Sequence, residues 1–387
     1  MRTLALMQPP RIVIGEQAAE TCVSDALRQA RRRIFVVTSP PLLTLVEPVA
    51  AAFRNAGAEV VIHDAIAAEP TVRMLDTALA AARSFHPDLV MGLGGGSALD
   101  AAKFVAALAH ETRPVNEFFG PDKLPPRQVG LVCLPTTSGT GSEVSPNAIL
   151  LDEADQLKKA SISPYLVPDA AYLDPGLTRS MPPAITAATG MDALTHCIEA
   201  FANLNAHPAV DLYALEGIRL VGRHLRRAVA EGQDLVAREG MAMASLYGGL
   251  CLGPVNTAAV HALAYPLGGA FHVAHGVANA VMLPHVLAFN LPAMPERYAR
   301  IAEALGAIPG RDAMETAERG IALLRDWSRL IGIPPDLASV GITADAIPEL
   351  AASAMTVTRL LKNNPRPVTY EDALGIYRAA LREGGLS

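Results

Sequence analysis

Asp192 and His196 stand four residues apart in a segment, Asp192 to Ala202, with helical spacing of its apolar residues, so both side chains leave one face of one helix. His261 and His275 lie farther on, in a run from Met241 to Pro295 without Asp, Glu, Lys or Arg. A lone histidine in such a run is ordinarily a satisfied core residue. One carboxylate with three imidazoles is instead an N/O donor set suited to Fe, Zn, Co or Ni and too rich in nitrogen for Mg or Ca. With a single anionic ligand, a divalent ion there keeps a net positive charge and favours an alkoxide. His272, three residues before His275, is a candidate for lining a substrate pocket. His63, His86, His110, His207 and His224 sit among loop, proline-flanked or charged neighbours and read as surface or capping residues, and His285 follows Pro284 at a helix turn.

A second chemical signal is Gly92-Leu-Gly-Gly-Gly-Ser-Ala-Leu-Asp-Ala-Ala-Lys103, which follows a predicted strand and opens a predicted helix. Gly94, Gly95 and Gly96 let backbone N–H groups approach a diphosphate, and the positive end of the helix favours that anion. It is neither the usual G-x-G-x-x-G fingerprint nor a P-loop, which needs G-K-[ST] after the turn. Ser97 and Asp100 stand three apart, like the two ends of a capping box. Pro135-Thr-Thr-Ser-Gly-Thr-Gly-Ser-Glu143 follows another predicted strand and gathers hydroxyls that suit a diphosphate, or equally a polar turn.

The elements that must hold these groups follow from periodicity. Arg33–Thr38, Glu59–His63, Asp88–Leu93 and Val129–Leu134 read as short buried strands, with helical patterns at Leu42–Ala56, Val72–Ser84 and Ala98–His110 between them. That rhythm implies parallel βαβ units. After about Pro182 the strand signal fades, and Asp192–Ala202, Ala209–Glu231 and Met314–Gly332 are helical. The expected organisation is an α/β nucleotide-binding domain with a parallel sheet over residues 1–178 and an all-α metal-binding domain over residues 179–387, divided near Asp174-Pro175-Gly176. The active site is expected in the cleft between them.

Composition bounds the function. With 51% hydrophobic and 18% charged residues and a net charge of −6, the chain is an ordinary globular protein with no basic footprint for nucleic acid or an anionic membrane. The charge-free run is broken by glycines and prolines and carries four histidines, which favours a buried core over a membrane span. Cys22, Cys133, Cys197 and Cys251 form no C-x-x-C pair and read as free buried thiols. The start of the chain lacks a signal-length apolar run, so the expectation is a cytoplasmic protein whose partners are small molecules and its own copies.

Together the segments Gly94-Gly-Gly-Ser-x-x-Asp-x-x-Lys103, Pro135-Thr-Thr-Ser-Gly-Thr-Gly-Ser-Glu-Val144, Gly190-Met-Asp-Ala-Leu-Thr-His196, His261-Ala-Leu-Ala, His275-Gly-Val-Ala-Asn-Ala280 and Asn364-Pro-Arg-Pro-Val-Thr369 resemble the iron-containing (group III) alcohol dehydrogenase family. That family includes lactaldehyde reductase and 1,3-propanediol dehydrogenase, on the fold shared with glycerol dehydrogenase and dehydroquinate synthase. The resemblance implies Asp192, His196, His261 and His275 as ligands of Fe²⁺, with Zn²⁺ or another divalent ion as alternatives. It implies Gly94, Gly95, Gly96, Ser97, Asp100, Thr136, Thr137, Ser142 and Lys158 in an NAD or NADP site, with Lys158 near the ribose. Ser39, after the first strand, takes the place where NAD-strict relatives carry an acid. Asn147 resembles the family's pocket-facing asparagine.

Two departures stand out. Many relatives read His-Ala-x-Ala-His-Pro where this chain reads His261-Ala-Leu-Ala-Tyr265-Pro266, and Leu252 replaces an aromatic of some substrate pockets. Tyr265 is therefore expected at the pocket wall and His272 as an alternative proton carrier. The implied activity is an NAD(P)-linked alcohol dehydrogenase and aldehyde reductase, passing a hydride between a metal-bound alkoxide and the nicotinamide, in a homodimer. The alternatives are a maleylacetate-reductase-like or hydroxyacid–oxoacid transhydrogenase activity on the same scaffold, and, from another class, a dehydroquinate-synthase-like lyase. The lyase needs basic residues for a phosphorylated substrate, and the charge-free stretch opposes it.

Overall fold

The computed structural model describes residues 2–66, 69–154 and 157–381. The chain forms two compact units: Leu6–Thr137 with Gly141–Ser180, and Met181–Ser387 with Met1–Ala5 and Ser138–Thr140.

The first unit carries nine strands: β1 (Arg11–Ile14), β2 (Arg33–Val37), β3 (Glu59–His63), β4 (Leu89–Gly94), β5 (Gly120–Pro121), β6 (Gly130–Pro135), β7 (Asn147–Asp152), β8 (Leu157–Ile162) and β9 (Ala170–Leu173). Six form a parallel sheet in the order β1-β9-β6-β4-β2-β3. The central strands β4 (LVMGLG) and β6 (GLVCLP) are buried at every position, as continuous apolar strands covered on both faces must be. Helices α1 (Ala18–Arg28), α2 (Leu43–Asn55), α3 (Val72–Phe85) and α4 (Gly96–Leu108) complete the layers. The four strands expected from sequence lie within a residue or so of their observed bounds. The sheet also contains β1 and β9, four residues each and too short for periodicity to reveal. A separate sheet, β5-β8-β7, includes the Lys-Lys strand β8, whose mixed burial hides its pattern.

From β2 the chain steps outward to β3, whereas from β4 it crosses through α4 toward β6 on the opposite side. The carboxyl ends of β2 and β4 thus meet where the winding reverses, the place at which open α/β sheets bind ligands. Ser39 follows β2, and Gly94–Gly96 close β4 and open α4.

The second unit is helical: α5 (Pro183–Phe201), α6 (Pro208–Ala230), α7 (Leu235–Leu252), α8 (Ala259–Phe271), α9 (His275–Asn290), α10 (Pro295–Leu305), α11 (Ala313–Leu330), α12 (Ile347–Met355), α13 (Thr358–Leu361) and α14 (Tyr370–Leu381). Its helix α5 starts nine residues before the expected Asp192, because Pro182-Pro183 supply a ready first turn. From Gly190 to Phe201 every residue of α5 is buried, so this helix has no solvent face. The charge-free run forms the end of α7 and all of α8 and α9. Residues 275–293 are apolar and long enough to cross a bilayer, yet 67% of that stretch is buried inside the protein. All four cysteines are free and buried.

The α5–α9 contact brings the site helices together, and it depends on Gly276. A Cβ there would stand 2.3 Å from the Ala188 carbonyl oxygen, an obstacle of backbone that cannot swing aside. Gly276→Ala should therefore cost roughly 1–3 kcal/mol, as overpacking does. The control is Gly375→Ala in α14, where a Cβ meets nothing within 4 Å; it should be neutral or stabilise by up to about 1 kcal/mol. Thermal melts of the two variants check the pair, and equal melting temperatures would contradict the close-approach argument.

Candidate metal centre and nucleotide-binding site

All four expected ligands come together in the helical unit. Nε2 of His261 and Nε2 of His275 each lie 3.6 Å from Asp192 Oδ1. His196 Nε2 is 3.1 Å from His261 Nε2 and 4.0 Å from Asp192 Oδ1. Two ligands held at roughly 2.0–2.2 Å from one ion stand roughly 3.0–3.6 Å apart, so this spacing suits a shared divalent metal. The tightest set is Asp192, His261 and His275, whose donor atoms all fall within 4.8 Å of one another.

Hydrogen bonds fix which nitrogens face inward. His196 Nδ1 lies 3.2 Å from the Gly139 carbonyl and donates to it, and His261 Nδ1 donates to Glu199 Oε2 at 2.5 Å. Both Nε2 lone pairs are then left facing each other at 3.1 Å, an arrangement that repels unless a proton or a metal cation stands between them. Asn279 shows the same demand. Its Nδ2 lies 2.7 Å from Asp192 Oδ1, 3.1 Å from His261 Nε2 and 3.2 Å from His275 Nε2. Three acceptors thus converge on one positively polarised amide that has two hydrogens.

Electrostatics point the same way. Burial alone would lower His261, but Glu199 on one side and Asp192 on the other push it up to about 9. Asp192 is held below the usual carboxylate range by His196 and His275 against the cost of burial. Asp192, His196 and His261 are at most 5% exposed, whereas the His275 side chain is 30% exposed, so the cluster opens on the His275 side.

Glu199 and Asn279 escaped the reading of the sequence. Glu199 sits three residues after His196 on α5, is 4% exposed, and uses both oxygens: Oε2 orients His261, while Oε1 accepts the Val260 N–H at 2.6 Å in the first turn of α8. It thereby caps the helix that carries the ligand it orients. Its signal was a second carboxylate, seven residues after Asp192 in a mostly apolar helix, since buried acids are rarely left unpaired. Asn279 lies one turn after His275 on α9, the spacing that shares a face.

Tyr265 lies beside the cluster, its ring edge-on to His261 at 6.5 Å and 6.0 Å from His275. His272 is the left-handed cap residue of α8 (φ 55°) and is exposed.

In the α/β unit Gly95 is the N-cap residue of α4, and no side chain caps the first turn. A Cβ on Gly95 would stand 3.3 Å from the Thr137 side chain, so only glycine leaves room there for an anion at the helix N-terminus. The capping box expected from Ser97 and Asp100 does not form. Asp100 instead accepts from Ser142 Oγ at 2.5 Å and from the Ile149 N–H at 3.0 Å, because the 142–149 segment packs on α4 and offers those donors. Lys103 is fully buried, its three N–H groups directed at Ser145 O (2.9 Å), Ser145 Oγ (3.2 Å) and Asn147 O (2.8 Å). Asp100, Lys103 and Ser142 therefore hold this segment in place through bonds inside the protein. Thr136 is buried, its N–H bonded to Gly94 O. Asn147 Oδ1 is buried without a partner. Lys158 is paired with Glu69.

Family models match both units: "Iron-containing alcohol dehydrogenase" over residues 9–175 and "Fe-containing alcohol dehydrogenase family, C-terminal" over residues 186–381. The chain is 39% identical over 386 residues to long-chain-alcohol dehydrogenase 1 of Geobacillus thermodenitrificans (strain NG80-2), covering 98% of this chain and 97% of that one. Among solved structures it resembles 1,3-propanediol oxidoreductase with a TM-score of 0.95 at 35% identity, covering 98% and 100% of the two chains. It also resembles sulfoacetaldehyde reductase from Bifidobacterium kashiwanohense in complex with NAD⁺, with a TM-score of 0.89 at 28% identity and coverage of 99% and 100%. The family and these relatives make the chain an oxidoreductase acting on CH–OH donors. The chain belongs to the iron-containing alcohol dehydrogenase family.

Two measurements probe these details. Glu199→Gln keeps an acceptor for Val260 but removes the charge behind His261, and metal affinity measured against a chromophoric chelator should fall roughly ten- to a hundredfold; unchanged affinity would leave Glu199 a purely helical cap. In the α/β unit, burial pushes Glu143 up to about 7, against the pull of Lys103. The folded state holds that proton to higher pH than the unfolded chain, so its stabilising effect is complete below about 4.5 and is lost as pH rises through about 7. Glu143→Gln should then match the native protein in urea melts near pH 4 and exceed it near pH 8 by up to about 3 kcal/mol.

Proposed function

We propose that the protein is a divalent-metal-dependent, NAD(P)-linked alcohol dehydrogenase that also reduces the corresponding aldehydes, with Asp192, His196, His261 and His275 as its metal ligands. The observation that carries the reading is the convergence of Asp192, His261 and His275, whose donor atoms lie within 4.8 Å of one another, with His196 Nε2 3.1 Å from His261 Nε2 and 4.0 Å from Asp192 Oδ1, in a cluster open on the His275 side. Lewis-acid polarisation of a substrate oxygen is the chemistry a divalent metal, Fe²⁺ by family, would supply there. NAD or NADP gives or takes the hydride.

The protein's own residues do the rest. Glu199 and the Gly139 carbonyl hold two imidazoles with Nε2 inward. The uncapped first turn of α4, with Gly94–Gly96 and Ser97, receives the diphosphate. Thr136, Thr137 and the unsatisfied Asn147 amide face the nicotinamide end, while Asp100, Ser142 and Lys158 support that surface from their internal bonds. Burial raises the Tyr265 phenol further from neutrality, so it serves as pocket wall and His272 as the candidate proton carrier. Buried free thiols suit a reducing cytoplasm, and the unpaired edge of β1 suits cover by a second copy in a homodimer.

An alcohol and aldehyde panel with both nucleotides, on protein reconstituted anaerobically with Fe²⁺, tests the reading. His261→Ala should abolish turnover and metal binding while leaving nucleotide affinity within a few-fold, because the two sites belong to different units. Ser39 at the end of β2 neither repels nor attracts a 2′-phosphate. NAD and NADP should therefore differ by less than about a hundredfold in kcat/KM, and Ser39→Asp should shift the ratio toward NAD. A variant with the native ratio would remove Ser39 from the ribose site.

A further inference from the structure

The sequence around His261 and His275 is free of charge, but the folded centre is not. Helix α13 packs against α8 and brings Arg359 close enough to Tyr265 for the positive charge to hold the phenol down against the effect of burial. On its other side Tyr265 stacks obliquely against His275 at 6.0 Å, and the charges nearest it besides Arg359 are Asp192 and Glu199. Arg359 is partly buried, and no carboxylate pairs with it among the described residues. A guanidinium drawn from water without an anion is costly, and the neutral phenol beside it offers its five donors no charge.

The arginine is also held firmly. Leu360 beside it is fully buried, and the next residues are tied down by buried amides: Asn363 Nδ2 donates to Thr257 O at 2.8 Å, and Asn364 exchanges hydrogen bonds with Asn290 at 2.7 and 2.8 Å. Thr257 precedes the helix that carries His261. The same network therefore fixes the cation and the ligand helix relative to each other, as a specificity element requires.

We propose that Arg359 determines specificity by binding the anionic end of a short aldehyde or alcohol, a carboxylate, sulfonate or phosphate a few bonds from the carbon that reacts beside His275. This rests on the dehydrogenase reading above and adds the substrate class. Guanidinium and oxyanion form paired, charge-assisted hydrogen bonds.

Length-matched aldehydes test it on the Fe²⁺-reconstituted enzyme: succinic semialdehyde against butanal, and sulfoacetaldehyde or a phosphorylated aldehyde against propanal. The readout is the ratio of kcat/KM for the anionic over the neutral member of each pair. The native enzyme should favour one anionic member, and which one identifies the oxyanion. Arg359→Gln should lower that ratio roughly ten- to a hundredfold, chiefly through KM, and Arg359→Lys should restore part of it. Succinate, which cannot react, should raise the melting temperature of the native protein and not of Arg359→Gln, and the two proteins should melt alike without it. A native preference for neutral aldehydes, or a ratio unmoved by Arg359→Gln, overturns the proposal and leaves the dehydrogenase standing. A variant impaired only in KM for nucleotide reassigns Arg359 to the cofactor and likewise overturns it. Turnover of neither member by the native enzyme removes the dehydrogenase reading, and this one with it.

Discussion

Two carboxylates and three imidazoles share a nearly water-free helical core, and such a group is stable only with positive charge among its members. Glu199 and His261 meet that demand in part by sharing a proton on Nδ1. Asp192 and the inward Nε2 atoms still face one another, with the neutral Asn279 amide set between Asp192, His261 and His275. These residues would hold a divalent cation that satisfies the acceptors at once, and its binding energy would then also be folding energy for the helices that carry them. This accounts for α5 having no solvent face from Gly190 onward: Asp192, His196 and Glu199 leave it in one row, and apolar neighbours close over the rest.

The α/β unit meets the opposite constraint. There no side chain caps the first turn of α4, and the positive end of that helix suits an anion. The charged residues of the motif stay clear of that opening. Lys103 and Asp100 face inward from α4 and hold the segment through Ser142, Ser145, Asn147 and Ile149. Buried polar groups that are fully paired in this way fix a loop more firmly than apolar packing does, because any displacement strands a charge. The price is Glu143, a carboxylic acid whose charge the same interior disfavours.

What the sequence revealed tracks the range of each interaction. The Asp192/His196 pair follows from helical spacing, and His261 and His275 stand out against a charge-free background. Strands β2, β3, β4 and β6 have enough residues to show a pattern, whereas β1 and β9 do not. The supporting residues were hidden for different reasons. Glu199 and Asn279 lie inside recognised segments, but their partners are on other helices, and a scan for ligand types passes over a helix cap and an amide. Ser97 and Asp100 matched a local capping pattern that lost to a bond with Ser142, forty-two residues away. Arg359 sits in a four-residue helix with no periodicity, nearly a hundred residues after His261, and only folding places it at the centre.

Tyr265 and Arg359 account for each other. An imidazole at position 265 would stand one turn from His261 with His275 nearby, and beside a guanidinium it would be driven to its neutral form. A phenol is neutral over the whole working range; burial raises its titration further, and it places no second positive charge beside the arginine. The exchange of imidazole for phenol thus removes a proton carrier from the ligand helix and installs a fixed cation near the open side of the centre. On the proposed reading, proton delivery falls to groups nearer solvent, such as the exposed His272. The wall beside His275 gains a charge-bearing donor, and that gain suits a substrate with an anion to offer.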